Sequence, residues 1–415
     1  MAIKKIAIIG GGISGLSLLH FLNKKYGGSV SITLYERNAS AGGNVRTSAE
    51  DDFVFETGPN GFLTNQPDTS ELIADIGLNN DVFIAKKAER FLQLNKKLYP
   101  LPTDLFSFLS SSLFSARDKF LLLRGIFKKD VSPDQSVYNY AAARFGKYTA
   151  ERIVDPFVSG VFAGDVHRLH MYSAFGKMLA PKKNNGKAIL CSFRFGMGQL
   201  TGRLIEQYAS QIKASSLINS LDEIEADRII CTAPAYAVAG LFARTNPSLT
   251  KALESIHYAP VAVVGLGFDA FAFKNLPKGF GYLVPSDQHK EVLGVLIESN
   301  VFEKRAPKER IMVRVMMGGR HHPNIANEDV RILKERAEAE INEIYGLKKH
   351  SIKHWVKVWP KAIPQYELEY PACLKAIEQE LTKIPRLTLA GNYLGGVAVN
   401  DCIYNAKCIA NKLTI

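Results

Sequence analysis

Cysteine is scarce in this chain. Five residues in 415 (Cys191, Cys231, Cys373, Cys402 and Cys408) neither form a dense disulfide framework nor fall at paired metal-ligand spacings. Free thiols in a reducing compartment are expected, and no metal is assigned to these cysteines or to His321-His322. No run approaches the ~18 to 20 apolar residues that cross a bilayer, which excludes a spanning helix. Met1-Ala2-Ile3-Lys4-Lys5 leads straight into an apolar strand-like segment, so neither a secretory leader nor a transit peptide is expected. Acidic residues are outnumbered, 40 against 52 Lys and Arg, which leaves a net charge of +12. That excess suits an anionic membrane or substrate, or simply a Lys-rich solvated surface. Arginine-rich tracts, zinc-finger spacings and aromatic-basic RNA signatures are missing, so nucleic acid is not an expected partner. What is present, 47% hydrophobic and 22% charged residues, excludes a disordered chain. The length allows two or three domains.

The first forty residues carry the clearest chemistry. Ile6-Ala7-Ile8-Ile9 has the continuous apolar character of a buried parallel strand. Gly10-Gly11-Gly12-Ile13-Ser14-Gly15 follows at once, then Leu16, Leu18, Leu19, Phe21 and Leu22 at helical spacing. A second strand, Ser31-Ile32-Thr33-Leu34-Tyr35, ends at Glu36, 21 positions after Gly15. This is a whole dinucleotide-binding unit. Gly10 permits the tight turn, Gly12 lets the backbone approach a pyrophosphate, and Gly15 lets helix and strand pack closely. The phosphates would sit at the helix N-terminus, and Glu36 would accept hydrogen bonds from both ribose hydroxyls.

Further along, Phe53-Val54-Phe55-Glu56 reads as a strand entering the turn Gly58-Pro59-Asn60-Gly61, and residues 71–77 as a short helix. Residues 104–180 are mostly helical in pattern. There Leu105, Phe106, Phe108, Leu109, Leu113, Phe114, Phe120, Leu121, Leu122, Leu123, Ile126 and Phe127 alternate with Arg117, Lys119, Arg124, Lys128 and Lys129. Such helices suit a membrane interface, the alternative being a subdomain whose leucines face the protein core. Residues 260–320 alternate as an antiparallel sheet, a charged helix follows over 328–345, and a last strand over 387–391 precedes a closing helix over 402–413. Backbone N–H groups at Val397, Ala398 and Val399, where that helix starts, would point at the ring of a bound dinucleotide cofactor, with Asn400-Asp401 as the helix N-cap or as neighbours of that ring.

A second glycine pair, Gly42-Gly43, close behind the acidic residue resembles the class of FAD oxidoreductases that includes amine oxidases and carotene desaturases, with Ser40 and Asn44 where arginine is usual. Several longer strings in order then resemble the protoporphyrinogen/coproporphyrinogen oxidase family. They are Phe55-Glu56-Thr57-Gly58-Pro59, Arg90-Phe91-Leu92, Pro156-Phe157-Val158-Ser159-Gly160-Val161-Phe162-Ala163-Gly164-Asp165, Gly279-Phe280-Gly281-Tyr282-Leu283-Val284, Ile363-Pro364-Gln365-Tyr366, and Gly391 through Ile403.

The resemblance implies a non-covalent FAD and oxidation of protoporphyrinogen IX by loss of six electrons, with three O2 reduced to peroxide, in haem biosynthesis. It places a substrate propionate on Arg90, the Gly160 carbonyl against the macrocycle, and Leu283, Leu296 and Met316 around the pyrrole rings. Its cofactor residues here are Gly10, Gly11, Gly12, Ile13, Ser14, Gly15, Glu36, Arg37, Gly42, Gly43, Asn44, Gly58, Pro59, Asn60, Gly61, Ile218, Gly391, Asn392, Val397, Ala398 and Val399. Between Leu217 and Ile229 the chain is shorter than the family pattern, and Glu369-Tyr370 stand where Gly-His is common.

The expected architecture is an α/β fold with a discontinuous, split Rossmann-like FAD-binding domain (1–85, 190–235, 383–415). An antiparallel-sheet substrate domain (86–91, 236–382) and a helical membrane-associated domain (92–189) complete it. Coproporphyrinogen III oxidation and a catalytically silent, FAD-stabilised porphyrin-binding protein are the alternatives. Peripheral attachment to the cytoplasmic face of an anionic membrane, a homodimer, and a haem-pathway neighbour such as ferrochelatase complete the expectations.

Overall fold

The computed structural model describes residues 4–128, 130–179 and 188–414; Lys129, the stretch 180–187 of the expected helical unit and the first three residues of the expected leaderless start lie outside the described residues. Five parallel strands form one sheet in the order Ile212–Lys213, Ser31–Tyr35, Lys5–Ile9, Arg228–Cys231, Leu387–Leu389. Lys5–Ile9 is buried at four of its five positions because helices cover both faces. Successive side chains point to opposite sides. Ile6 and Ile8 meet helices Ile13–Tyr26 and Val399–Lys412 through Leu16, Leu19 and Ile403. Ala7, Ile9, Ile229 and Leu389 meet Val238, Leu253 and Ile377.

A seven-stranded sheet stands beside it, in the order Lys353–Pro364, Tyr258–Asp269, Arg310–Gly318, Val292–Ile297, Gly281–Leu283, Arg90–Leu94, Lys97–Pro100. One face packs Val264, Val295, Val313 and Val315 onto Leu333, Ala337 and Ile341 of helix Val330–Tyr345. The opposite face is left for a cavity.

Three expectations shift. The sheet is mixed, because Gly281–Leu283 runs parallel to Arg90–Leu94. That strand and Lys97–Pro100 belong to the sheet, so the helical unit opens at Leu105 and not at residue 92. Helices Ala235–Phe242, Pro247–Glu254 and Tyr370–Leu381, expected with the substrate domain, pack on the parallel sheet. The reason is that a parallel sheet must be covered on both faces.

In the helical unit, Leu105–Ser110 and Ala116–Phe127 each begin with a capping box, Asp104 with Ser107 and Ser115 with Asp118. Among the described residues no helix is long and apolar enough to cross a membrane.

Candidate active site

Both sheets contribute walls to a single cavity of about 1550 Å³. Pockets for one drug-sized ligand run to ~1,000 Å³, so this volume suits a dinucleotide together with a second large molecule. Seven Lys or Arg residues line it against one acidic residue, Glu36, which selects anionic ligands.

At one end, Gly10 adopts φ +108°, a conformation that favours glycine, as the chain leaves its strand. Gly11 N donates to Glu36 Oε2 at 2.8 Å, and Gly42 N to the Gly11 carbonyl at 2.7 Å. No side chain caps helix Ile13–Tyr26, so its first N–H groups are free for an anion. A Cβ built on Gly12 would meet only Gly43 Cα, at 4.0 Å, and would project into that open cradle. Glu36 Oε1 also accepts from Asn38 N at 2.8 Å and Asn38 Nδ2 at 2.5 Å. With about four acceptor sites on a carboxylate, room remains for roughly one ribose hydroxyl, not two. Ile218 lines the same end, on a loop pinned by Ser216 N to the Glu36 carbonyl at 2.8 Å. These features fit a dinucleotide.

Gly11, Gly12, Ile13, Ser14, Arg37, Gly43, Asn44, Gly58, Pro59, Asn60, Gly61, Asn392, Val397, Ala398 and Val399 also line the cavity. Gly15, Gly42 and Gly391 do not. Their task is structural: a Cβ on Gly15 would lie 2.0 Å from the Gly10 carbonyl oxygen, and Gly42 and Gly391 turn the chain at φ +119° and +127°. The closing helix starts at Val399, with Ala398 as N-cap. Asp401 Oδ2 accepts from Ala398 N at 3.3 Å. Asn400 is not the cap; its amide brackets Leu63, accepting from N at 3.2 Å and donating to O at 2.7 Å.

At the other end, Leu283, Leu296 and Met316 share a sheet face, since Gly281 pairs with Leu296, Leu283 with Gly294, and Gly294 with Met316. Gly160 faces them from helix Asp155–Phe162, close enough that a Cβ on it would touch Leu283 Cδ2 at 2.8 Å. It lies in the last helical turn, where carbonyls have no intrahelical partner. Arg90 lines the mouth with its guanidinium 4.9 Å from the Phe280 ring centroid, and among the described residues no carboxylate pairs with it.

Arg314, which sequence reasoning missed, stands across the sheet from Leu296. Arg90 and Arg314 lie on one cross-strand row, three strand spacings or ~14 Å apart along the backbone. The signal was an arginine in the apolar run Ile311-Met312-Val313-Arg314-Val315-Met316.

Among the described residues no histidine lines the cavity, and the one carboxylate that does is at the nucleotide end. Burial pushes the Cys402 thiol up to about 11. The substrate end thus offers orientation and an apolar surface without a side-chain base, and the redox work falls to a bound group.

A glycine-opened helix between parallel strands, joined to a cationic, base-free cleft, defines a dinucleotide-dependent oxidoreductase. Residues 13–413 match the family of flavin containing amine oxidoreductases, and the chain belongs to that family of flavoprotein enzymes. It is similar to protoporphyrinogen oxidase 1 of Arabidopsis thaliana chloroplasts, 29% identical over 96% of this chain and 86% of the relative. Coproporphyrinogen III oxidase of Bacillus subtilis is 24% identical over 99% of this chain and 98% of its own. A solved structure from Exiguobacterium sp. 255-15 superposes with a TM-score of 0.83, at 22% identity and over 99% and 98% of the two chains.

Proposed function

We propose that this enzyme oxidises protoporphyrinogen IX to protoporphyrin IX, using non-covalent FAD and O2. The carrying observation is a guanidinium, Arg90, with no carboxylate partner among the described residues, lining an apolar slot continuous with a dinucleotide seat. The similarity to protoporphyrinogen oxidases over nearly the whole chain supports it. Gly10–Gly12, Glu36 and the free N–H groups of the first helix would hold the dinucleotide, and the turn 57–61 with Val397–Val399 would border its ring. FAD, when bound, supplies a hydride acceptor. Arg90 takes a propionate in a two-pronged, charge-assisted pair worth ~1.5–3 kcal/mol and so orients the macrocycle. Leu283, Leu296 and Met316 flank the pyrrole rings and exclude water, and the Gly160 carbonyl accepts from a pyrrole N–H. An electron-rich pyrrole releases hydride as it becomes an iminium, so no side-chain base is required. Three such oxidations remove six electrons and six protons and turn three O2 into three H2O2.

Coproporphyrinogen III, with four propionates, is the second reading, favoured by the similarity to the Bacillus subtilis enzyme and by the cationic lining. Attachment to an anionic membrane on its cytoplasmic face is also proposed. Phe106 and Phe127 are each 82% exposed, beside exposed Leu105, Phe120 and Ile126 and among Arg117, Lys119, Arg124 and Lys128. Incubating the FAD-loaded protein with each porphyrinogen while following porphyrin fluorescence and peroxide tests the reading. Porphyrin with stoichiometric peroxide from protoporphyrinogen is expected. Turnover of coproporphyrinogen alone would select the second reading, and no turnover with flavin bound would leave a silent porphyrin-binding protein.

A further inference from the structure

Four ionisable side chains are buried together behind the joint between the two halves of the cavity. Glu56, Glu298 and Arg305 are 1% exposed and Arg314 5%. Arg305 Nη1 lies 3.0 Å from Glu56 Oε1, and Arg314 Nη1 3.8 Å from Glu298 Oε1. The turn 57–61 is gripped at three residues, from two strands of the substrate sheet and from Glu298, which follows strand Val292–Ile297. Trp359 Nε1 donates to the Thr57 carbonyl at 2.6 Å, and Arg314 Nη2 donates to the Gly58 carbonyl. The Asn60 amide faces the Glu298 carboxylate, and with its nitrogen assigned to that side it donates to both oxygens at 2.9 and 3.1 Å.

Stability does not explain this cluster, because buried ion pairs are commonly replaced by apolar groups of similar volume at no loss. Arg314 Nε, moreover, is buried without a partner. Of the four, Arg314 alone lines the cavity, beside Leu296 and Met316. Burial pulls its guanidinium down and pushes the Glu298 carboxyl up, and each is chiefly opposed by the charge of the other.

We propose that Arg314 is a positioning residue that holds the turn 57–61 against the flavin ring, and that its charge, offset by Glu298, sets how readily the ring is reduced. Hydride transfer from a substrate carbon moves two electrons and one proton and leaves one net negative charge on the cofactor side of the cavity. A desolvated guanidinium favours that state and the carboxylate behind it opposes it. The inference rests on the flavin seat proposed above and is independent of which porphyrinogen is taken.

The test uses the purified FAD-loaded protein without substrate. Midpoint potential is read by reductive titration against a reference dye, and sulfite affinity by loss of flavin absorbance. Arg314→Met is expected to shift the two-electron equilibrium toward oxidised flavin about tenfold, or ~30 mV, and Glu298→Gln toward reduced flavin by a similar factor. Sulfite binding should follow the same signs. Opposite signs mark a charge effect, since a purely structural cluster would move both variants together. Asn60→Ala, which loosens the turn without changing charge, should raise the FAD dissociation constant about threefold and leave the potential unmoved.

Same-sign shifts, or variants within twofold of wild type, would overturn the proposal. If Arg314→Met does not fold, Glu298→Gln decides alone by its sign. Wild-type protein that binds no FAD would remove the seat itself, whereas bound FAD with unmoved variants would remove this inference only.

Discussion

At the nucleotide end of the cavity the recognising atoms belong to the backbone: Gly10 turns the chain at φ +108°, Gly12 leaves open space beside Gly43, and a helix without a side-chain cap presents its N–H groups to it. At the substrate end they belong to side chains, with Leu283, Leu296 and Met316 on one sheet face, Gly160 opposite, and Arg90 at the rim. The first end is assembled mainly from some forty consecutive residues, with the loop at Ile218 added beside Glu36. The second is assembled from strands and helices between Arg90 and Lys353–Pro364 that only the sheet brings together. Backbone recognition tolerates no added atoms, whereas side-chain recognition can be graded. Substitutions at the two ends should therefore fail differently.

The largest effect is expected from Gly12→Val. Its Cβ meets no protein atom closer than Gly43 Cα at 4.0 Å and projects into the cradle, so the chain should fold while FAD affinity falls at least about a hundredfold. Flavin content and thermal denaturation check this, and full occupancy would break the comparison. Gly15→Ala is the control, because contact with the Gly10 carbonyl should cost the fold itself.

Next comes Arg90→Ala, for which KM is expected to rise by about one to two orders of magnitude with the flavin spectrum unchanged. Unchanged kinetics would remove Arg90 from the site. The double variant Phe106→Asp, Phe127→Asp should weaken co-sedimentation with anionic vesicles about tenfold or more and leave turnover in detergent intact. Equal binding of both proteins would return those helices to the solvated surface.

The smallest effect is expected from Gly160→Ala. Its methyl would lie 2.8 Å from Leu283 Cδ2, the end of a flexible side chain, so Leu283 must shift and reshape the cleft. KM should rise about three- to fivefold, an effect below ~1 kcal/mol, and Leu283→Ala in the same protein should relieve it.

The comparison also explains what could be read in advance. Strand, glycine turn, helix and Glu36 were legible because local periodicity and glycine spacing encode them, and most of the proposed cofactor residues do line the cavity. Gly15, Gly42 and Gly391 serve the walls, a distinction that depends on which carbonyl or ring each faces. The second ribose contact expected of Glu36 is reduced by Asn38, two residues away, whose side chain folds back onto the carboxylate. Arg90, Gly160, Leu283, Leu296 and Met316 came from family resemblance; nothing in their own spacing marks them as neighbours. Arg314 escaped because its meaning depends on Glu298 and on the turn 57–61, neither adjacent in sequence. The helices at 235–254 and 370–381 were assigned to the wrong sheet for a related reason. An amphipathic helix declares that it covers an apolar surface without saying which one.

By itself the sequence determined a net positive charge, which is composition alone, and a nucleotide-gripping turn and a set of amphipathic elements, which follow from patterns within a few residues. Only the tertiary structure decided that two sheets share one cavity, that two arginines three strands apart share one cross-strand row, and that one of them is buried against a carboxylate. Those facts depend on strand order and register, which long-range packing selects and no local pattern encodes.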